Sequence, residues 1–194
     1  FNQQGLASST TAHLGLRFEA GYGGPGLKVG DVLDDGPTSR AVSEVQVGEV
    51  LLSIDGTPVD GTTDLTGILN GRLGRDITLK IRDSDGKDRE IVIRPISYGN
   101  ARAILYEQWV ENNRRRIDEL SEGKLAYLHI RAMNMTSFYR FERELVEIAY
   151  GKSGLVIDVR ENGGGSTTDH LLTILTQPRH AITVPRGGTE GYPQ

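Results

Sequence analysis

No cysteine occurs in these 194 residues, so the chain forms neither a disulfide nor a thiolate-ligated metal site. That absence fits a reducing compartment. There is no surplus of positive charge either. Lys and Arg number 22 against 26 Asp and Glu, a net charge of −4, which leaves no basic footprint for nucleic acid. No apolar run approaches the ~20 residues that cross a bilayer, so no membrane partner is expected. No signal peptide is legible, and the first residue is Phe1 rather than Met, so a chain trimmed or cut from a longer one is expected. The four histidines, His13, His129, His170 and His180, stand far apart without metal-ligand spacing such as His-Glu-x-x-His. Neither a metal nor a cofactor is expected. Glycine is plentiful, at 25 residues, but it has no fixed period, which excludes collagen-like and repeat architectures.

What is present divides into two styles of sequence. Residues 1–12 are small and polar and read as a loose lead-in. From Leu14 to about Ile96, short alternating runs are separated by glycine turns. Strands are predicted at residues 14–19, 27–33, 50–54, 77–81 and 90–94, with Asp55-Gly56 and Asp83-Ser84-Asp85-Gly86 as turns between them. Residues 37–43 suit a short helical turn. Thr62 or Thr63 could cap a helix carrying Leu65, Ile68 and Leu69 on one face. Beyond Pro95 the period lengthens. Ile104, Leu105, Trp109, Val110, Ile117 and Leu120 recur at helical spacing, with Arg114, Arg115 and Arg116 on a solvated face. A strand at 125–130, a helix carrying Phe138, Phe141, Leu145, Ile148 and Ala149, a strand at 155–159 and a helix at 167–176 then give a parallel βαβα pattern. Two parallel strands are too few for a core of their own, so this second unit is expected to be incomplete.

The most informative segment is Asp158-Val159-Arg160-Glu161-Asn162-Gly163-Gly164-Gly165, where a buried strand gives way to a helix. Backbone without Cβ atoms admits a close ligand, and the N–H groups of a helix start favour negative charge. Such a turn can hold a phosphate, a carboxylate or the oxyanion of a tetrahedral intermediate. Nucleotide binding would want Gly-x-Gly-x-x-Gly or Gly-x-x-x-x-Gly-Lys-Ser/Thr, and neither occurs. Asp158 and Glu161 flank the turn and could act as paired carboxylates, although a strand-terminal Asp more often pairs with a neighbour such as Arg160. Ser166 follows the glycines but is poorly placed to attack a carbonyl held by the adjacent N–H. Asn134-Met135-Thr136 is a formal glycosylation sequon.

Leu14-Gly15-Leu16, Gly36-Pro37-Thr38-Ser39-Arg40-Ala41 and residues 47–56, Val-Gly-Glu-Val-Leu-Leu-Ser-Ile-Asp-Gly, together resemble a PDZ domain. The resemblance implies that Leu14, Gly15 and Leu16 offer N–H groups to a peptide's C-terminal carboxylate. It implies that residues 17–20 pair with that peptide and that a helix at 63–71 forms the facing wall. Followed by Trp109-Val110-Glu111-x-Asn113-Arg114-Arg115, Tyr127-Leu128-His129-Ile130, residues 154–165 and Pro185-Arg186-Gly187-Gly188-Thr189, the whole resembles the tricorn-type serine peptidases, relatives of the C-terminal processing peptidases. The implied fold is mixed α and β: a PDZ-like barrel or sandwich at 14–97 after a lead-in at 1–13, a connecting helix at 98–123, and part of an α/β domain of the ClpP/crotonase type at 124–194.

That family hydrolyses peptide bonds by acyl transfer to a serine. His13 matches its general base and Gly165 an oxyanion N–H, with Gly164 supporting the turn. The family commonly has serine before that histidine, whereas Ala12 stands here. Thr183 falls where the archetypal tricorn enzyme has an acidic residue favouring basic P1 side chains. The attacking serine is expected beyond the segment matching Pro185 to Thr189, so these 194 residues alone are expected to be inactive. Peptides or unfolded proteins are the implied substrates. The resemblance also implies a cytoplasmic location and a homo-oligomeric parent. A non-catalytic PDZ scaffold is the competing reading.

Overall fold

A computed structural model describes residues 10–178, 182–184, 186–188 and 192–193. The chain forms two compact units, which divide between Trp109 and Val110. In the first, the strands are β1 (Ala12–His13), β2 (Leu16–Phe18), β3 (Leu27–Val32), β4 (Val50–Ile54) and β5 (Thr57–Pro58). Helix α1 (Leu65–Leu69) follows, then β6 (Ile77–Arg82), β7 (Asp88–Ile93) and β8 (Ile96–Ser97). Helix α2 (Tyr98–Leu120) carries the chain across the division. The main sheet is antiparallel, in the order β2-β3-β4-β6-β7, with β5 on β4. Strands β1 and β8 pair separately, Ala12 opposite Ser97 and His13 opposite Ile96.

Alternation builds this sheet. In Ile77-Thr78-Leu79-Lys80-Ile81-Arg82 the three apolar side chains are buried and the intervening ones half-buried. They join Val29, Leu51 and Ile54 in one core. The turn between β4 and β5 has positive φ at both Asp55 (47°) and Gly56 (76°), the conformation that two-residue hairpins favour. Two expectations fail here. Residues 37–43 form turns rather than a helical turn, because hydroxyls take nearby carbonyls: Ser43 Oγ donates to Pro37 O (2.7 Å) and Ser39 Oγ to Gly36 O (3.0 Å). The expected helix at 63–71 is only five residues long, with Asp64 rather than a threonine at its N-cap. Thr62 and Thr63 instead turn back to Asp60, each hydroxyl donating to its Oδ1 (2.7 and 3.0 Å).

The second unit contains the C-terminal part of α2, then β9 (Leu125–His129), α3 (Met135–Ala149), β10 (Gly154–Asp158), α4 (Thr168–Thr176), β11 (Ile182–Thr183) and β12 (Tyr192–Pro193). Strands β9 and β10 are parallel and in register from Leu125 opposite Gly154 to His129 opposite Asp158. Strands β11 and β12 pair antiparallel. Helix α3 begins at Asn134, whose Oδ1 accepts from Ser137 N–H (2.9 Å), so the sequon asparagine serves as a cap. Phe138 and Phe141 pack from α3 onto Leu128 and Ile130. The expected stripe of α2 is shallow: Val110 is buried, but Trp109 and Leu120 are exposed. Arg114 is not on a solvated face. It pairs with Glu111 (3.1 Å) and with buried Glu144 (3.3 Å), which Arg140 also holds (2.7 Å). Among the described residues no helix is long and apolar enough to cross a membrane.

Candidate active site

The glycine turn is held by backbone from a distant loop. Met133, just after β9, donates its N–H to Gly164 O (3.1 Å) and accepts from Ser166 N–H (2.9 Å), a parallel bridge centred on Gly165. Those bonds use the residues on either side of Gly165. Its own N–H and C=O therefore face away from Met133, and the N–H has no partner among the described residues. Gly165 is exposed, so this donor is open to a ligand.

The three glycines are constrained unequally. Gly165 has φ of 146°, and a Cβ built on it would fall onto the Met133 carbonyl. Gly164 has φ of 83° but open space around it. Gly163 has neither constraint. Asn162 braces the turn from inside: its Nδ2 donates to Ile130 O (2.8 Å) and its Oδ1 accepts from Gly164 N–H (2.8 Å). Glu161 is forced to φ of 58°, a left-handed conformation costly for a residue with a Cβ. Helix α4 starts only at Thr168, so the open Gly165 N–H comes from the bridge and not from the helix's first turn, as the sequence had suggested. Ser166 has its N–H committed to Met133 and lies beside the donor.

The strand leading into the turn ends in a charged knot. Buried Asp158 accepts from Tyr127 Oη (2.7 Å) and from Arg160 Nε and Nη2 (2.9 and 2.5 Å). Arg160 also donates its backbone N–H to Asp158 Oδ1 (2.9 Å). The Arg160 guanidinium is the main reason the Asp158 carboxyl sits well below the usual carboxylate range, against the opposing effect of burial. The Tyr127 phenol is pushed up to about 12, first by burial and then by its bond to Asp158. A carboxylate bound in this way is structural, so the paired-carboxylate reading of Asp158 and Glu161 has no support. His129 is buried, its Nε2 bonded to Arg160 O (2.9 Å). His170 stacks edge-on against Phe138 (5.5 Å between ring centres). His180, Pro185 and Thr189 lie outside the described residues. Thr183 lies in β11 opposite Tyr192.

His13 belongs to the other unit, as the last residue of β1. Its Nδ1 accepts from Gly15 N–H at 2.9 Å, and its ring meets Tyr98 edge-on (5.0 Å between centres). Burial, then the positive charge of Arg17, lower its pKa from the ordinary histidine value. Leu14 and Leu16 send their side chains into the core, at 2 and 4 % exposure. Only the backbone of residues 14–16 is thus offered to a ligand. Gly15 has φ of 81°, and Pro37 Cδ would lie 2.8 Å from a Cβ there. Neither Asn162 nor Met133 is assigned a role by motif or spacing. The Asn-Gly pair is a turn signal that points to the former. No side-chain signal marks the latter, which acts through its backbone.

Two family profiles match the chain: the tricorn protease PDZ domain over residues 27–98, and peptidase family S41 over residues 124–194. Both profiles come from peptidases, and over most of its length the chain is similar to tricorn proteases. It is 32% identical over 158 residues to the tricorn protease of Thermoplasma volcanium, covering 81% of this chain and 15% of that protein. It is 33% identical over 153 residues to tricorn protease homolog 1 of Streptomyces coelicolor, covering 77% of this chain and 14% of that protein. It also superposes on the crystal structure of the tricorn protease with a TM-score of 0.73 at 26% identity, over 95% of this chain and 18% of that one. The chain therefore spans about 15% of the length of the curated relatives it matches.

Proposed function

We propose that these residues are the PDZ domain and part of the catalytic domain of a serine peptidase that cleaves peptide bonds by acyl transfer. The observation that carries this is the open Gly165 N–H, held by Met133 and Asn162 within the segment matched to family S41. A fixed donor aimed at developing negative charge needs no reorganisation during the reaction. In this reading Gly165 binds the oxyanion, Gly164 lets the turn form, and His13 is the general base. The lowered pKa of His13 keeps it neutral at physiological pH, as a base must be. Ser166 is not the nucleophile, so the 194 residues by themselves are inactive. Thr183 replaces an acid, so no preference for basic P1 residues follows. The substrates are peptides or unfolded proteins, and the working form is a cytoplasmic homo-oligomer.

The test is peptidase assay of the full-length polypeptide on fluorogenic peptides, with fluorophosphonate labelling of both it and the 194-residue chain. The full-length protein is expected to be labelled and the short chain not. His13→Ala is expected to lower kcat by about 10²–10⁴. Peptides with Lys or Leu at P1 should be cleaved at similar rates. Labelling of Ser166, or full activity in His13→Ala, would sink the assignment.

A further inference from the structure

His13 and the loop at residues 14–16 share one hydrogen. Gly15 N–H points at His13 Nδ1, 2.9 Å away. A nitrogen that accepts carries no proton, so the neutral ring holds its proton on Nε2. In that tautomer neither nitrogen can take a proton from a hydroxyl: Nδ1 is occupied and Nε2 is already protonated. The contact is thus a lock on the base. Ala12, where the family commonly has serine, offers no side-chain group that could hold the ring in the other tautomer.

The surroundings of the same N–H suit an extended chain ending in a negative charge. Strand β2 ends the order of the main sheet, and no described strand pairs with its outer side. Leu33 N–H donates to Gly15 O (2.9 Å), which makes Leu16 and Val32 a wide pair in the ladder. The N–H and C=O of Leu16 therefore face away from β3, toward the open edge. Gly15 and Leu16 present consecutive backbone donors, while the neighbouring Arg17 guanidinium is already paired with Asp31 (2.8 Å from Nε), so the attraction rests on the two N–H groups. With Leu14 and Leu16 buried, recognition falls to main chain and terminal charge rather than to a side-chain pocket.

We propose that a peptide's C-terminal carboxylate takes the Gly15 N–H from His13 and so releases the imidazole from its locked tautomer, making the PDZ loop a carboxylate-operated switch on the histidine. Only hydrogen bonds are exchanged. The carboxylate accepts from Gly15, Nδ1 loses its donor, and the ring proton redistributes between the two nitrogens through solvent. The catalytic meaning of the switch rests on the reading of His13 as the base, but the exchange itself does not.

The exchange can be followed on the 194-residue chain labelled with ¹⁵N. Long-range ¹H–¹⁵N spectra report the tautomer of His13, and amide spectra report Gly15 and Leu16. The free chain should show the Nε2–H form. The pentapeptide Ser-Thr-Ala-Val-Leu with a free C-terminus should shift both amides and move His13 toward a mixture of tautomers, in proportion. The same peptide amidated should do neither. His13→Ala removes the internal acceptor and should bind the free-acid peptide about three- to tenfold more tightly than wild type, the scale of one hydrogen bond. An unchanged His13 spectrum at saturation, equal response to the amidated peptide, no response to either, or no gain of affinity in His13→Ala would each overturn the switch. Loss of kcat in full-length His13→Ala would still uphold the peptidase reading, so the two can fail separately.

Discussion

The three glycines at 163–165 look alike in the sequence and are unlike in their physics. Gly165→Ala must move the Met133 carbonyl or break the bridge, and its φ of 146° is hostile to any side chain. It is expected to destabilise the second unit by about 1–3 kcal/mol. Gly164→Ala meets open space, so only its φ of 83° opposes it, at about 1 kcal/mol. Gly163→Ala should lie within about 0.5 kcal/mol of wild type. Urea unfolding of the three variants checks the order, and three equal losses would show that the turn is not held as described. The motif was legible as a turn because Asn-Gly-Gly-Gly has little other use after a buried strand. Which glycine carries the donor was not legible, because that depends on a carbonyl some thirty residues earlier in the chain.

At the scale of elements, β9 and β10 are joined by side chains as well as by their ladder. Tyr127 reaches across from β9 to Asp158, the last residue of β10, and Arg160 closes the group. The folded pKa of Asp158 is depressed, so its contribution to stability is complete above the ordinary carboxylate range and is lost as pH falls through the lower folded value. Tyr127 is shifted the other way, to about 12, so its contribution is complete below the ordinary phenol value near 10 and fades as pH rises through about 12. Ultraviolet titration should find one tyrosine ionising near pH 12. Asp158→Asn should bring it back toward 10 and flatten the acid limb of the stability curve. A tyrosine that stays near pH 12 in Asp158→Asn would show that burial alone raises it. Elements with clean alternation, such as β6, could be read from the sequence because each side chain's burial decides its partner face. Helix α1 could not, because Asp60 draws in the two threonines that would otherwise begin it. The pairing of β1 with β8 was hidden for another reason: two residues give no periodicity to detect.

At the scale of the molecule, the two units have unequal means of holding themselves together. Among the described residues, fourteen buried apolar side chains form the core of the first and five that of the second. Burial scales with stability, so the chain should not melt as one cooperative body. Calorimetry is expected to resolve two transitions, the lower one belonging to residues 110–194, and Leu128→Ala should shift that one alone. A single transition whose van't Hoff and calorimetric enthalpies agree would contradict this. The family was readable because its motifs are spread over both units, and the profiles meet the chain in both. The locked histidine was not readable, since composition and spacing say nothing about which hydrogen a ring nitrogen accepts.

Met133 grips the glycine turn with its N–H and its carbonyl, groups that nearly every amino acid possesses. Selection can therefore keep the grip while letting the residue drift. Among relatives, position 133 should vary in identity while avoiding proline, which has no N–H to give to Gly164. A survey that ranks positions by invariance would pass over it. The residue that aims the open Gly165 N–H would be the one an alignment marks as unimportant.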